Sequence, residues 1–207
     1  MYWHKYELYI MKHLRYNYRI YPTVEQQSML NQIGGSCRYI WNYYLNKEME
    51  RYKLDNKFNF FNKNSKDLTS LKQNIEWLKI PPAIALQQTI RNLDQSLRQS
   101  FKNANSRKGF PTFKKKKFNS TSFNLTMISS NNFINDNIFK IPKIGEVKIK
   151  LHRKPPSDFK SCAVKQKAGK WYVSFVVKKE CKQKQPISSA IGIDMNSKDL
   201  VLLQKVK

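Results

Sequence analysis

The apolar positions of this chain change their period once. From residue 23 to residue 101 they recur every three or four residues, which is the period of a buried helix face. Thr23, with Gln26 three residues later, predicts a capping box behind Pro22. Val24, Met29, Leu30 and Ile33 form the stripe that follows, and Gly34-Gly35 reads as a break, so a helical hairpin is expected there. Cys37, Ile40, Trp41, Tyr44 and Leu45 then continue at i, i+3, i+4, i+7 and i+8. Residues 53 to 68 are rich in Asn and Lys and read as a loop. A short helix is expected over Leu71, Ile75 and Leu78, ended by Pro81-Pro82. Leu86, Ile90, Leu93, Leu97 and Phe101 mark the clearest helix of the chain.

After Gly109 the pattern alternates. Ser122–Ile128, Ile138–Ile141, Val147–His152, Ser161–Gln166 and Lys170–Val177 read as strands, separated by turn signals at Ile144-Gly145, Pro155-Pro156 and Ala168-Gly169. Before the helices, the first dozen residues are irregular, and Tyr16–Tyr21 reads as one more short strand. Short strands at this spacing suggest a small antiparallel barrel. The last segment, SAIGIDMNSKDLVLL, reads as two apolar strands around a tight turn. The fold class expected is therefore α+β.

Charge sharpens this picture. The chain of 207 residues carries 39 Lys and Arg against 14 Asp and Glu, a formal net charge of +25. Like charges repel in the compact state, and the usual compensation is a polyanion. Residues 101–185 alone hold 21 basic and 4 acidic residues, so most of that field falls on the strand-rich part. With 40% apolar residues the chain can bury a core. Cys37, Cys162 and Cys181 lack C-x-x-C spacing, which argues against a disulfide framework or a four-cysteine zinc site. No run of about 18 apolar residues occurs, so no membrane span is expected; an anionic membrane surface is the less usual polyanion, and it is the order of motifs that leaves no membrane partner expected. The first 15 residues do not resemble a secretory signal. A reducing, cytoplasmic, nucleoid-associated setting is the expectation.

Three segments carry candidate chemistry. Lys114, Lys115, Lys116 and Lys117 lie between Phe113 and Phe118. Ammonium groups neutralise phosphates, and flanking rings can stack on unpaired bases; alone, the run could equally be a solvated linker. In VKIKLHR, Lys148, Lys150 and His152 alternate with Val147, Ile149 and Leu151. A strand would hold the three basic groups on one face, with Arg153 following. Ile191-Gly192-Ile193-Asp194 ends an apolar strand on a carboxylate, which reads as a Mg²⁺ ligand or, equally, as a turn Asp. His4, His13 and His152 are scattered, and Trp41 and Trp171 read as packing residues.

The order of motifs resembles one family. YRIYPTVEQQSML, CRYIWNYYLN, PPAIALQQTIRNLDQSL, GFPTFKKKK, IPKIGEVKIKLHR, GKWYVSFVV and IGIDMNSKDLVLL follow one another as in the TnpB family, encoded by IS200/IS605 and IS607 type transposons and long described as transposases. The resemblance covers residues 16 to 207. It implies an RNA-guided DNA endonuclease whose helical recognition bundle is inserted into a small wedge β-barrel, followed by a RuvC-like (RNase H-like) domain. On that pattern residues 1–15 are an extension, 16–22 the first wedge strand and 23–108 the helical insert. Residues 109–187 complete the barrel, and 188–207 begin the nuclease. The partners implied are a guide RNA from the transposon end and target double-stranded DNA. Gln87, Gln88, Asn92, Thr121 and Ser122 are the candidates for reading a short motif beside the target. The basic barrel would hold the RNA scaffold.

The departures from the family matter equally. Asp194 matches the first catalytic carboxylate, but the family nuclease also uses a later Glu and a later Asp, with Mg²⁺, and a four-cysteine zinc element. None of these follows Asp194 here, and Asp199 is too near to replace them. One carboxylate does not build a two-metal site. The expectation is a truncated, RNA-guided DNA-binding protein that does not cut by itself. The alternatives are an endonuclease completed by a downstream fragment, and a retained transcriptional repressor.

Overall fold

A computed structural model describes residues 9–102, 109–116, 121–155, 159–182, 190–194 and 202–206. The element order is strand β1 (Tyr9–Tyr21), helices α1 (Val24–Asp55), α2 (Phe61–Asn74) and α3 (Ala83–Lys102), then strands β2 (Ser122–Thr126), β3 (Phe133–Asn135), β4 (Ile138–Ile141), β5 (Gly145–Lys150), β6 (Ser161–Lys167) and β7 (Lys170–Lys182). A hairpin of β8 (Ala190–Asp194) and β9 (Leu202–Val206) closes the list. The class is α+β, with the helices followed in sequence by an antiparallel sheet. The chain forms two compact units, one of residues 13–177 and one of residues 1–12 with 178–207. The second contains the β8–β9 pair, in which Asp194 stands opposite Leu202.

The seven-stranded sheet runs in the order β2-β6-β7-β1-β5-β4-β3. β1 starts well before the expected Tyr16, inside the residues read as an extension. The reason is its period of two: Leu14, Tyr16, Tyr18 and Ile20 turn inward while Arg15, Asn17 and Tyr21 face out. β7 likewise runs past Val177 to Lys182. β4 has the expected bounds, and β2, β5 and β6 lie within two residues of theirs. β3 was not foreseen. Ala168 and Gly169 both take positive φ, 47° and 73°, as a two-residue hairpin between β6 and β7 requires. Phe175 is the hub of the core on this side, with ring centres of Tyr18, Phe133, Phe139 and Phe159 at 4.4–5.9 Å.

The helices depart from expectation at one point above all. α1 is unbroken over 32 residues, so Gly34-Gly35 is not the turn of a hairpin. A Cβ at Gly34 would overlap the Thr121 methyl group and approach the ring of Phe123. The glycine is there because the helix crosses the start of β2 without room for a side chain. The capping box of Thr23 and Gln26 forms as expected, and the Gln26 amide also donates to the Glu146 carbonyl at 2.8 Å. Leu30, Ile33, Cys37, Ile40, Trp41, Tyr44 and Leu45 are buried, whereas Val24 is exposed.

The segment read as a loop is mostly helix. α1 runs to Asp55, Asn56 caps it in the left-handed region, and α2 begins at Phe61. Between them lies the fully buried Glu48 carboxylate. It accepts from the Asn59 backbone N–H at 2.6 Å and from the Asn64 amide at 2.7 Å. α2 gives way to one 3₁₀ turn, Glu76–Lys79, before Pro81-Pro82. Leu86, Ile90, Leu93 and Leu97 on α3 are buried. Phe101 is not; it ends the stripe at the surface.

Two outcomes test this packing. Gly35→Ala should raise stability by up to ~1 kcal/mol through helix propensity, while Gly34→Ala should lower it by about 1–2 kcal/mol through overpacking. In a Thr121→Ser background, which removes the offending methyl, the two substitutions should behave alike in urea unfolding. Glu48→Ala should cost about 2 kcal/mol by orphaning two donors. Burial raises the Glu48 pKa, against the pull of the Asn64 and Asn59 hydrogen bonds. Its stabilisation is therefore full below the ordinary carboxylate pKa and declines as pH rises through the raised value. The stability gap between wild type and Glu48→Ala should shrink across that window.

Candidate nucleic-acid interface

A cleft of about 420 Å³ opens where α1, α3, the linker at 109–116 and β2 meet. α1 supplies Gly34, Cys37 and Arg38, α3 supplies Thr89 and Asn92, the linker Thr112–Lys115, and β2 Ser122–Asn124. Its polar members include an amide on each of two walls, one serine and two threonine hydroxyls, a guanidinium and two ammonium groups. That set can donate to base-edge acceptors and phosphates and accept from exocyclic amines.

The linker is held in place rather than loosely solvated. The Asn42 amide donates to the Lys114 carbonyl at 3.0 Å and its oxygen accepts from the Lys114 N–H at 2.8 Å. The Trp41 indole donates to the Thr112 carbonyl at 3.0 Å. The Lys114 ammonium lies 3.7 Å from the centre of the Trp41 ring. Desolvation there lowers the Lys114 pKa. At the cleft floor burial pushes the Cys37 thiol up to about 11, and the thiol contacts the Ala85 carbonyl.

A smaller polar groove of about 150 Å³ adjoins the cleft, and Asn124 lines both. Its other members include Arg15, Gln88, Thr126, Ser161 and Ser174. The Gln88 amide donates to the Asn92 oxygen at 2.9 Å and so links the two recesses.

Of the residues expected from sequence, Asn92, Lys114, Lys115 and Ser122 come together in the cleft, and Gln88 faces the adjoining groove. Gln87 is exposed and lines neither. Thr121 donates to the Asn31 oxygen at 3.0 Å and packs on Gly34, so its role here is to seat the helix on the strand. Lys116 is exposed beyond the cleft, and Lys117 lies outside the described residues. Arg38, Asn124 and Arg15 were missed. Asn124 was legible, since it is two residues from Ser122 and on the same face of β2. Arg38 was not, because its place depends on the uninterrupted α1.

A second cationic surface lies on β1 and β5. Lys148 and Lys150 face out while Val147 and Ile149 are buried, as the alternation predicts. Arg19 stands directly opposite Lys150, and Tyr21 opposite Lys148. Like charges facing across a strand pair are destabilising without a counter-charge. Among the described residues no carboxylate pairs with Arg19, Lys148 or Lys150. Arg19 stacks on Tyr21 at 4.7 Å and Arg153 on Tyr16 at 4.5 Å. His152 falls beyond β5, so it does not continue the lysine ladder; its ring packs 5.2 Å from Tyr18, and its Nε2 accepts from Arg153 Nε at 3.0 Å.

Asp194 ends β8, and Asp199 lies outside the described residues. Among the described residues no three His, Cys, Asp or Glu side chains cluster in a way that could hold a metal ion. No described helix is long and apolar enough to cross a membrane.

Comparison with known proteins gives concordant matches. A family model described as a helix-turn-helix domain, of the OrfB IS605 type, matches residues 11–57. In this structure those residues are most of β1 and the whole of the unbroken α1. The chain is 28% identical over 197 residues to the protein named "Putative RNA-guided DNA endonuclease InsQ" of Escherichia coli (strain K12), covering 93% of this chain and 48% of that protein. It is 25% identical over 193 residues to a "Putative RNA-guided DNA endonuclease" of Streptomyces pristinaespiralis, covering 91% of this chain and 47% of that one. The chain thus spans about half the length of the curated relatives it matches.

Thiol labelling tests the cleft floor. Cys162 is pushed up to about 12 by burial, Cys37 to about 11, and Cys181 is partly exposed. Since the thiolate is the reactive form, an aromatic disulfide reagent at pH 8 should modify Cys181 first. Cys37 and Cys162 should follow only on unfolding. Fast labelling of Cys37 in the native protein would contradict the packing of α1 on α3.

Proposed function

We propose that this chain, a TnpB-type protein as the matched segment and both relatives support, binds a guide RNA and reads a short motif in double-stranded DNA beside the guided target. The observation that carries this reading is the cleft itself. Asn92 and Ser122, expected from sequence as readers, line it together with Arg38, Lys115 and Asn124. Amides and a guanidinium in a recess lined by cations suit base edges within a phosphate-bearing duplex.

On this reading the helices are the recognition insert, the seven-stranded sheet is the wedge barrel, and residues 188–207 open the RuvC-like part. The roles divide between two surfaces. The cleft takes the DNA motif, and the β1–β5 face, with Lys148, Lys150, Arg19 and Arg153, takes the folded RNA by its phosphates. The unpaired cations of that face are what a polyanion would neutralise. Lys114 anchors the linker to Trp41 and only secondarily meets phosphate. Asp194 is the carboxylate these residues offer to cutting chemistry. A two-ion clamp draws on several, and the roles proposed for the described side chains are binding and recognition.

The test separates the two surfaces. The protein is loaded with RNA from the adjacent transposon end and challenged with duplexes randomised beside the target. Wild type should enrich a short motif. Asn92→Ala and Ser122→Ala should relax it, each by roughly 1–3 kcal/mol of discrimination if the contact is bidentate, with RNA affinity unchanged. Replacing Lys148, Lys150 and Arg153 by Ala should weaken RNA binding and lower the slope of log affinity against log salt by roughly 0.7–0.9 per lost phosphate contact. No enrichment by wild type, or an unchanged slope, would reject the assignment.

A further inference from the structure

The far end of α1 carries a recess that neither surface above uses. It has a volume of about 610 Å³, within the ~300–1,000 Å³ typical of small-ligand pockets. Its walls are mainly the rings of Tyr52, Phe58, Phe60 and Phe101, with Lys57 and Arg98 beside them. The rings are already organised. Tyr52 and Phe58 stack at 4.6 Å and 13°, and Phe101 lies 5.1 Å from Phe58 and 6.0 Å from Tyr52. Yet they are not core: Tyr52 is 39% exposed, Phe60 45% and Phe101 53%.

Several observations show that this display is built. The backbone that carries Phe58 and Phe60 is fixed from below by the buried Glu48, which binds the Asn59 N–H and the Asn64 amide. Asn64 in turn donates to the Asn59 carbonyl at 3.1 Å. The Arg98 guanidinium lies 3.8 Å from the centre of the Phe60 ring and is steadied by Asp94 one helical turn earlier. A buried carboxylate thus holds the loop in which Phe60 is presented at the surface with a cation over its ring, while Phe58 is half-buried beside it.

We propose that this recess is a stacking site for unpaired nucleobases of a single-stranded segment of nucleic acid. The rings offer flat apolar faces to bases, which are themselves flat and apolar on their faces. Lys57 and Arg98 supply positive charge for the connecting phosphates, and among the described residues no carboxylate lines the recess. Base pairs in a duplex already stack on one another, so the site favours bases that have lost their partners. Such stacking tolerates any base, because every base has a π-face. The inference rests on the nucleic-acid reading above and adds a class of contact to it: bases held by their faces, where the cleft reads edges.

The test uses the full-length chain and two labelled probes of equal length. One is single-stranded oligodeoxyadenylate, and the other is the same backbone with abasic residues throughout. At matched salt, wild type should bind the base-bearing probe about tenfold more tightly, a conservative figure for stacking. The double variant Phe60→Ala, Phe101→Ala removes only half-exposed rings and should abolish that preference while the salt slope stays unchanged. Phe60→Tyr with Phe101→Tyr should retain it. Equal binding of both probes by wild type, or a preference that survives the alanine pair, would overturn the stacking site and leave the nucleic-acid reading intact. Failure of wild type to bind either probe or its RNA would strike that broader reading instead. Concentration-dependent self-association in sedimentation that the alanine pair removes, with base preference intact, would assign the recess to protein docking and equally overturn the proposal.

Discussion

The close approach of α1 to β2 at Gly34 governs how the main unit is assembled. The helix offers no side chain at Gly34, so the Thr121 methyl at the start of β2 packs directly on the helix backbone, with Asn31 bonded to Thr121 beside it. That contact sets the distance between the helices and the sheet edge. Asn92 on α3 and Ser122 and Asn124 on β2 line one recess because α3 packs directly on β2 while α1 packs on both elements. It also requires the helix to be continuous. A break at Gly34-Gly35 would let the second half of α1 swing, and Trp41 and Asn42, which pin the linker, would move with it. A local concession in helix propensity, about 1 kcal/mol per glycine, thus secures a long-range geometry.

The cations divide by what holds them. Lys114 sits over Trp41 and its backbone is clasped by Asn42, so much of its interaction is already made within the protein. Arg98 is similarly engaged by Asp94 and Phe60. Among the described residues Lys148 and Lys150 have no such partner, and Lys150 stands opposite Arg19 across the strand pair. Net charge alone does not distinguish these groups. The second class is costly in the isolated protein and gains most from a polyanion, because its electrostatic work is unspent.

Legibility in the sequence followed how local the cause was. The capping box, the stripe on α3 and the alternation in β5 depend on neighbours within a turn or two, and each appeared where its pattern placed it except at its far end, Phe101 on α3 and His152 after β5. Gly34-Gly35 was misread because glycine has two causes, a break in the backbone or a close approach, and only the tertiary contact with Thr121 separates them. Residues 53–68 were misread because Asn and Lys dominate their composition. That polar majority masked Phe58, Phe60 and Phe61, and Glu48, which orders the segment, lies outside it. Asn92 and Ser122 were picked out singly, but their meeting was not legible: 30 residues and a change of secondary structure separate them.

The same physics explains why the aromatic recess could not be read from periodicity. Phe101 continues the apolar stripe of α3, and a helix-face argument assigns it to the core with Leu97. But α3 ends beside the last turn of α1, and there its last apolar residue emerges at the surface. There it meets Tyr52 from the final turn of α1 and Phe58 from the loop, residues that share no period with it. A stripe states which side of a helix is apolar; it does not state where the neighbouring helix stops. Apolar side chains that outrun their partners gather into a surface cluster, and what such a cluster binds depends on its rim. Here Lys57 and Arg98 stand at that rim, which ties the cluster to the same polyanionic partner that the charge of the whole chain requires.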